Sequence, residues 1–176
     1  MTAAFFINEK YMRDHSDVVS RMAEDGHVVG NHTSRHVSVM GMPLEALQKE
    51  LKGVEDAYRE ATGRELPRYF RPPQGRFNEV VLSGIQQLGY TTAFWSFRYE
   101  DWDTARQPSE NSAYATIMEE THPGEVVLLH CQSETNVKLL EKLITAWKLL
   151  GYQFGSIDHI AVKKTAGYYS WINLRA

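Results

Sequence analysis

The run Val28-Val29-Gly30-Asn31, followed at once by His32-Thr33-Ser34-Arg35-His36, sets the reading of the whole chain. A short β-branched run reads as a buried strand. This one ends directly on ionisable and hydroxyl side chains. Beyond it the period changes. Leu44, Leu47, Leu51, Val54, Tyr58 and Ala61 recur every three or four residues, one apolar face of an amphipathic helix. Pro43 sits near its start and Gly63 just past its end, the usual helix punctuation. The same alternation extends in both directions. Strand-like runs lie at Ala3–Ile7, Val28–Asn31, Arg68–Arg71, Tyr90–Phe97, Val126–His130 and Tyr152–Ile157. Weaker helical patterns fill 9–24, 78–88 and 110–121. A stronger one runs through Val137, Leu140, Ile144, Trp147 and Leu150, opened by Ser133 and closed by Gly151. Leu88-Gly89-Tyr90 and Leu150-Gly151-Tyr152 each read as a helix C-cap glycine that returns the chain to a strand. Strand and helix in alternation predict an α/β fold with parallel pairing and right-handed crossovers. A doubly wound sheet and a TIM-like barrel both fit. No Gly-rich phosphate fingerprint follows the first strand, which weighs against a nucleotide as ligand.

The 176 residues suit one domain, on a prior of roughly 150 residues per domain. Hydrophobic residues at 43% and charged residues at 23% are globular values, which excludes disorder of the whole chain. A net charge of -3 argues against a broad electrostatic grip on nucleic acid or an anionic membrane. The single cysteine, Cys131, excludes an internal disulfide framework. No apolar run approaches the roughly 18 residues of a membrane span. Met1–Asn8 has no positive region and too short an apolar stretch for a signal peptide.

Ionisable residues follow four strand-like runs: His32 and His36, then Arg71, then Asp101, then His130. In (β/α) barrels the active site is built at the carboxyl ends of the strands. A four-residue spacing brings two imidazoles to one face of a helical turn, so His32 and His36 are candidate ligands of a metal such as zinc. The plainer alternative is a helix cap at Thr33 or Ser34 beside two solvated histidines. Arg71 is either a surface ion-pair residue or a fixed fork for a carboxylate. Its backbone is held extended by Pro72. Pro72-Pro73 stiffens the following loop, whose Gln74 or Gly75 N–H is a candidate donor to an oxyanion. Asp101 is a turn residue or a carboxylate that orients a histidine. His130 is a structural histidine at a strand end or, paired with Asp101, a general acid. His15, His27, His122 and His159 have no suggested partner and read as structural.

The order His32-x-x-x-His36, Arg71-Pro72-Pro73-x-Gly75, Asp101-Trp102, Leu128-Leu129-His130 resembles the polysaccharide deacetylase family, the NodB-homology enzymes. The match covers roughly residues 3–160. Phe94-Trp95-Ser96-Phe97, Tyr99 and His122-Pro123-Gly124 look like the delta-lactam-biosynthetic de-N-acetylases of spore-forming bacteria, which act on N-acetylmuramic acid in cortex peptidoglycan. The resemblance implies a distorted (β/α) barrel over residues 1–160 and a C-terminal tail over 161–176. It implies metal-dependent N-deacetylation of a peptidoglycan or related N-acetylated glycan, outside the cytoplasm at the cell wall or spore cortex. His32 and His36 would be two ligands of a divalent metal, zinc by family usage. Arg71 would tether the catalytic base. Pro73, Gln74 and Gly75 would border the substrate, with the backbone N–H near Gln74 on the oxyanion. His130 would be the general acid, tuned by Asp101. Trp102 and Leu128 would shape the pocket for the acetyl methyl.

Two departures stand out. Position 74 is glutamine where tyrosine or arginine is frequent. The family's Thr-Phe-Asp-Asp-Gly strand, which carries the catalytic base and the third metal ligand, has no counterpart here, and no two aspartates are adjacent anywhere in the chain. Asp14, Asp17 and Asp25 fall in or beside the first helical pattern, not at a strand end. The expectation is a barrel without its first strand and helix, with open edges beside Ala3–Ile7 and Tyr152–Ile157 that invite self-association. The alternatives are a glycan-binding remnant without catalysis and another barrel hydrolase such as a metal phosphodiesterase. Net acidity and the lack of a phosphate-cradling loop weigh against the last.

Overall fold

The computed structural model describes residues 1–161, which fall into two compact units. The first comprises Met1–Ala93 together with the described residues from Gly155 onward. It holds a parallel sheet of four strands, β1 (Ala4–Ile7), β2 (Val28–Asn31), β3 (Tyr69–Phe70) and β4 (Thr91–Thr92), in sequential order. Between them run α1 (Glu9–Asp14), α2 (Ser16–Glu24), α3 (Leu44–Thr62) and α4 (Glu79–Gln87). Sequential order without reversal is the winding of a (β/α) barrel. A doubly wound sheet reverses direction at a switch point. Of the two topologies compatible with the alternation, this unit follows the first.

Sequence chemistry accounts for these elements. Asn8 and Asn78 cap α1 and α4 by accepting the Tyr11 and Val81 N–H. Gly63 ends α3 in the left-handed conformation at φ 68°. The predicted α3 stripe is the buried one: Leu47, Leu51, Val54 and Tyr58 are in the core, and only Leu44 stays exposed. One core lies among β1, β2 and helices α1–α3, around Met12, Val19, Val29 and Val54. A second gathers Val39, Leu51, Phe70, Ile85 and Tyr90. Fully burying such a side chain contributes roughly 1.5–3 kcal/mol, so α3, which feeds both cores, anchors the sheet.

The second unit, Phe94–Phe154, is built on α5 (Glu110–Glu120) and α6 (Glu134–Leu149). Phe97 and Val127 form one parallel bridge. Its core is Phe97, Ala113, Ile117, Leu139, Leu143 and Trp147. Ser109 and Ser133 cap the two helices.

Several elements differ from expectation. The long aromatic run Tyr90–Phe97 pairs only at Thr91–Thr92 and again at Phe97. Val126–His130 pairs only at Val127. Tyr152–Ile157 is no strand: Ile157–Ala161 is a short helix, α7, and 152–156 is irregular. Ser156 explains the difference. Its Oγ accepts the Asp158 N–H at 3.2 Å, a local bond that starts a helix where β-propensity alone predicts extension. Asp158 in turn accepts the Tyr69 hydroxyl at 2.7 Å, which fixes α7 to β3. The open edge expected at Tyr152–Ile157 is therefore not there. On α6 the predicted apolar stripe is buried only in part: Trp147 is in the core, but Val137 and Leu140 are 67% and 44% exposed, and Leu139 and Leu143 take the core positions instead. The helix has apolar residues on both sides, so periodicity does not decide between them. The C-terminal tail expected at 161–176 lies, past Ala161, outside the described residues.

Candidate active site

The first group of candidate residues sits at the carboxyl ends of β2 and β3. Asn31, the last residue of β2, is fully buried and organises the loop beyond it. Its amide donates to the Leu51 carbonyl at 2.9 Å and to the Tyr90 oxygen at 3.1 Å. Its Oδ1 accepts the Thr33 N–H at 3.0 Å. The chain then leaves the strand through two left-handed residues, Thr33 at φ 63° and His36 at φ 54°. This is a loop, not the helical turn that the four-residue spacing suggests. It still brings the two imidazoles together, with ring centroids 4.8 Å apart and planes at 65°.

His32 lies against Arg71. Its Nδ1 is 2.7 Å from the Arg71 carbonyl oxygen. A carbonyl only accepts, so Nδ1 carries the hydrogen and Nε2 keeps its lone pair. Metal-binding histidines show this same outer bond. The Arg71 guanidinium approaches that Nε2 at 3.4 Å and lies 5.2 Å from the centre of the Phe6 ring. Beyond Arg71 the chain turns through Pro73–Gly75, with Gln74 left-handed at φ 59°. The Gly75 N–H donates to Pro72 O at 3.1 Å. That donor closes the turn, which leaves the Gln74 N–H as the candidate of the two.

The loop is clamped from below by α3. The Ser34 N–H and hydroxyl both donate to the Glu50 carbonyl, at 3.0 and 2.9 Å. The buried Glu50 carboxylate receives the Arg35 N–H at 3.1 Å and Arg35 Nε at 2.6 Å. Ser34 Oγ also borders the Glu9 carboxyl, both of them packed over Gly53. With Arg13, Ser34 holds that carboxyl below its ordinary range. Gly53 makes this possible. A Cβ built on it would overlap both Ser34 Oγ and the Glu9 carboxylate. Replacing a helical glycine by alanine ordinarily stabilises by roughly 0.5–1 kcal/mol. Here Gly53→Ala is expected to destabilise by about 1–3 kcal/mol through overpacking, read as a lower urea midpoint. A raised midpoint would show that Glu9 and Ser34 move aside freely.

The second group belongs to the other unit. Asp101 is fully buried. Its Oδ1 is 2.7 Å from His130 Nδ1, and its Oδ2 accepts the His130 backbone N–H at 2.7 Å and Asn136 Nδ2 at 2.6 Å. Burial alone would raise the Asp101 pKa. The bonds from His130 and Asn136 outweigh it and hold the carboxyl below its ordinary value. With Nδ1–H on a carboxylate, Nε2 is the nitrogen of His130 able to pass a proton. The Trp102 ring stands 6.4 Å from the His130 ring at 68°, with Arg98 above it at 5.7 Å. Leu128 is half-buried and donates its N–H to Phe97 O at 3.0 Å. Burial, together with the nearby Asp101 carboxylate, pushes the Tyr99 hydroxyl up to about 12.

Sequence reasoning misses Asn136, Asn31 and Glu50. Asn136 has a faint signal. It stands three residues after the N-cap Ser133, where a capping box places glutamate or glutamine. Among the described residues no three His, Cys, Asp or Glu side chains are grouped to hold a metal ion. Catalytic zinc takes three protein ligands and a water. His32 and His36 therefore do not complete such a site, although their chemistry suits part of one. Among the described residues no helix is long and apolar enough to cross a membrane.

Comparison with known proteins agrees with the fold and the family. A family model described as polysaccharide deacetylase matches residues 1–93. The chain is 35% identical over 164 residues to the peptidoglycan-N-acetylmuramic acid deacetylase PdaA of Bacillus subtilis, covering 93% of this chain and 62% of that protein. It is 37% identical over 162 residues to a 30.6 kDa protein of Geobacillus stearothermophilus, covering 92% and 61%. It thus spans about three fifths of the length of these curated relatives. The solved structure of Bacillus subtilis PdaA, a family 4 carbohydrate esterase, matches with a TM-score of 0.88 over 93% of this chain and 70% of that one. Motif order, parallel winding and these likenesses agree, and the chain belongs to the polysaccharide deacetylase family.

Proposed function

We propose that this chain carries most of the active site of a peptidoglycan N-deacetylase acting on N-acetylmuramic acid. The carrying observation is the Asp101–His130 pair, bonded at 2.7 Å on a fully buried carboxylate. Its identity to a muramic acid deacetylase, over 93% of the chain, supports the substrate. In the reaction, water adds to the acetamide carbon, the C–N bond breaks, acetate leaves, and the amine nitrogen takes a proton. An amine leaves poorly unless protonated, and His130 Nε2 is the donor in this reading. Asp101 holds the ring with Nδ1–H inward. The Gln74 N–H bonds the oxyanion. Trp102 and Leu128 border the acetyl methyl. His32 and His36 are two ligands of a divalent metal, with zinc, the family's usual metal, among those that imidazole suits. The base and the third ligand come from an acidic pair that these 176 residues do not contain, with Arg71 tethering the base.

By the same reading the protein acts outside the cytoplasm, at the cell wall or spore cortex. Among the described residues β1 pairs on one side only, and an unpaired strand edge there would favour self-association. A second reading, glycan binding without catalysis, is favoured by the missing ligand group among the described residues.

The test appends a Thr-Phe-Asp-Asp-Gly strand ahead of Met1 and follows acetate release from muropeptides and from chitooligosaccharides. Release from muropeptides with little from chitooligosaccharides is expected. Release from chitooligosaccharides alone would overturn the substrate. Saturable muropeptide binding without acetate would favour the second reading.

A further inference from the structure

We propose that Asn136 is a positioning residue for the Asp101–His130 pair: its side-chain amide fixes the carboxylate and, through it, the tautomer of the histidine. The inference rests on reading that pair as the proton-transfer group. Asn136 is buried in the first turn of α6, beside the N-cap Ser133. Its Nδ2 donates to Asp101 Oδ2 at 2.6 Å and to the His130 carbonyl at 3.1 Å. Both partners only accept, so the amide is oriented with its nitrogen toward them. Its Oδ1 then receives the Tyr99 hydroxyl. One neutral side chain thus ties both members of the pair and the start of α6 into a single buried network.

The network is directional. Tyr99 can donate to Oδ1, which keeps the amide from turning over. Asn136 and the His130 N–H both donate to Oδ2, so Oδ1 is left to the His130 ring. A carboxylate so held favours Nδ1–H, and with it a proton-passing Nε2. Gln107 contributes from the far side. It donates to the Asp101 carbonyl at 3.1 Å and accepts the Ser133 hydroxyl, which locks the N-cap that presents Asn136. Of the titratable groups, His130 acts on the Asp101 carboxylate, and that carboxylate in turn acts on the Tyr99 hydroxyl. Asn136 is uncharged, so its influence is purely that of a donor.

The experiment uses the 176-residue chain and needs no turnover. The Asp101 carboxyl is titrated by carbon NMR, and the His130 tautomer is read from its ring nitrogen shifts. Asn136→Asp keeps the shape, removes the donor and opposes two carboxylates. The Asp101 titration should move up by about one unit or more, and the His130 ring should lose its single Nδ1–H form. Tyr99→Phe should move both signals the same way by less. A purely structural asparagine would lower thermal stability and leave both signals in place; unchanged signals in folded Asn136→Asp would overturn the proposal. If that variant does not fold, Tyr99→Phe decides alone. Movement of both signals supports the assignment, and no movement overturns it. Failure of the acetate assay would leave these readings intact, so the two ideas fail separately.

Discussion

Asp101→Asn is expected to lower the stability of the Phe94–Phe154 unit by about 3 kcal/mol at neutral pH. The wild-type carboxylate is fully buried and takes three donors, from the His130 ring, the His130 backbone and Asn136. Asparagine keeps the shape but turns an N–H toward a position where only acceptance is useful. One buried donor then faces another, which costs more than the lost attraction. The pH dependence has a fixed sign. The Asp101 pKa is depressed in the folded protein. Its stabilisation is therefore present above the unfolded value, near about pH 3.9, and disappears as pH falls through the folded value. The gap between wild type and variant should be constant near neutrality and close in acid. Trp95, Trp102 and Trp147 lie in this unit, so urea unfolding can be followed by their fluorescence. A variant within about 0.5 kcal/mol of wild type, the range of ordinary surface changes, would show that the network contributes little.

His130→Ala, placed in the chain extended by an Asp-Asp strand, is expected to cost about 10²–10⁴-fold in kcat with little change in KM. Chemistry and binding separate here. The ring carries the proton to the leaving amine and does not anchor the glycan, so its loss falls on the chemical step. The His130 N–H to Asp101 bond is made by the backbone and survives the change. The fold of the unit should hold, checked by an unchanged fluorescence spectrum. A loss confined to KM would instead place His130 in binding.

Much of the first unit is legible in the amino-acid sequence. α3 is plain because Leu47, Leu51, Val54 and Tyr58 repeat at helical spacing and Gly63 stops them. β1 and β2 are plain because they are short, apolar and bounded. The strands after residue 90 are not. Tyr90–Phe97 and Val126–His130 have β-rich composition, but pairing is a tertiary property, and only Thr91–Thr92 and the Phe97–Val127 contact form. The exposed side of α6 is hidden for a similar reason. Both faces are apolar, and the choice goes with Asn136, which enters a polar network at the start of the face that carries Leu139, Leu143 and Trp147.

The candidate residues divide the same way. His32, His36 and Arg71 stand out by type and position, and the loop does bring them together. Their spacing suggests a helical turn, but two left-handed residues replace it. Asp101 and His130 are 29 residues apart, and in the sequence their pairing is only one of two readings of two strand-end residues until the family resemblance favours it. Glu50 and Gly53 act through contacts that no local pattern announces, and Asn136 is announced only by its place three residues after the N-cap Ser133.

Acetate release from N-acetylmuramic acid peptidoglycan, measured side by side for the 176-residue chain and for the same chain carrying an N-terminal Thr-Phe-Asp-Asp-Gly strand, tests the central claim most directly. If the chain carries the metal-ligand and proton-transfer residues of a deacetylase and needs an acidic pair from elsewhere, the extended chain releases acetate and the 176-residue chain does not. Equal, metal-dependent release by both would contradict the account.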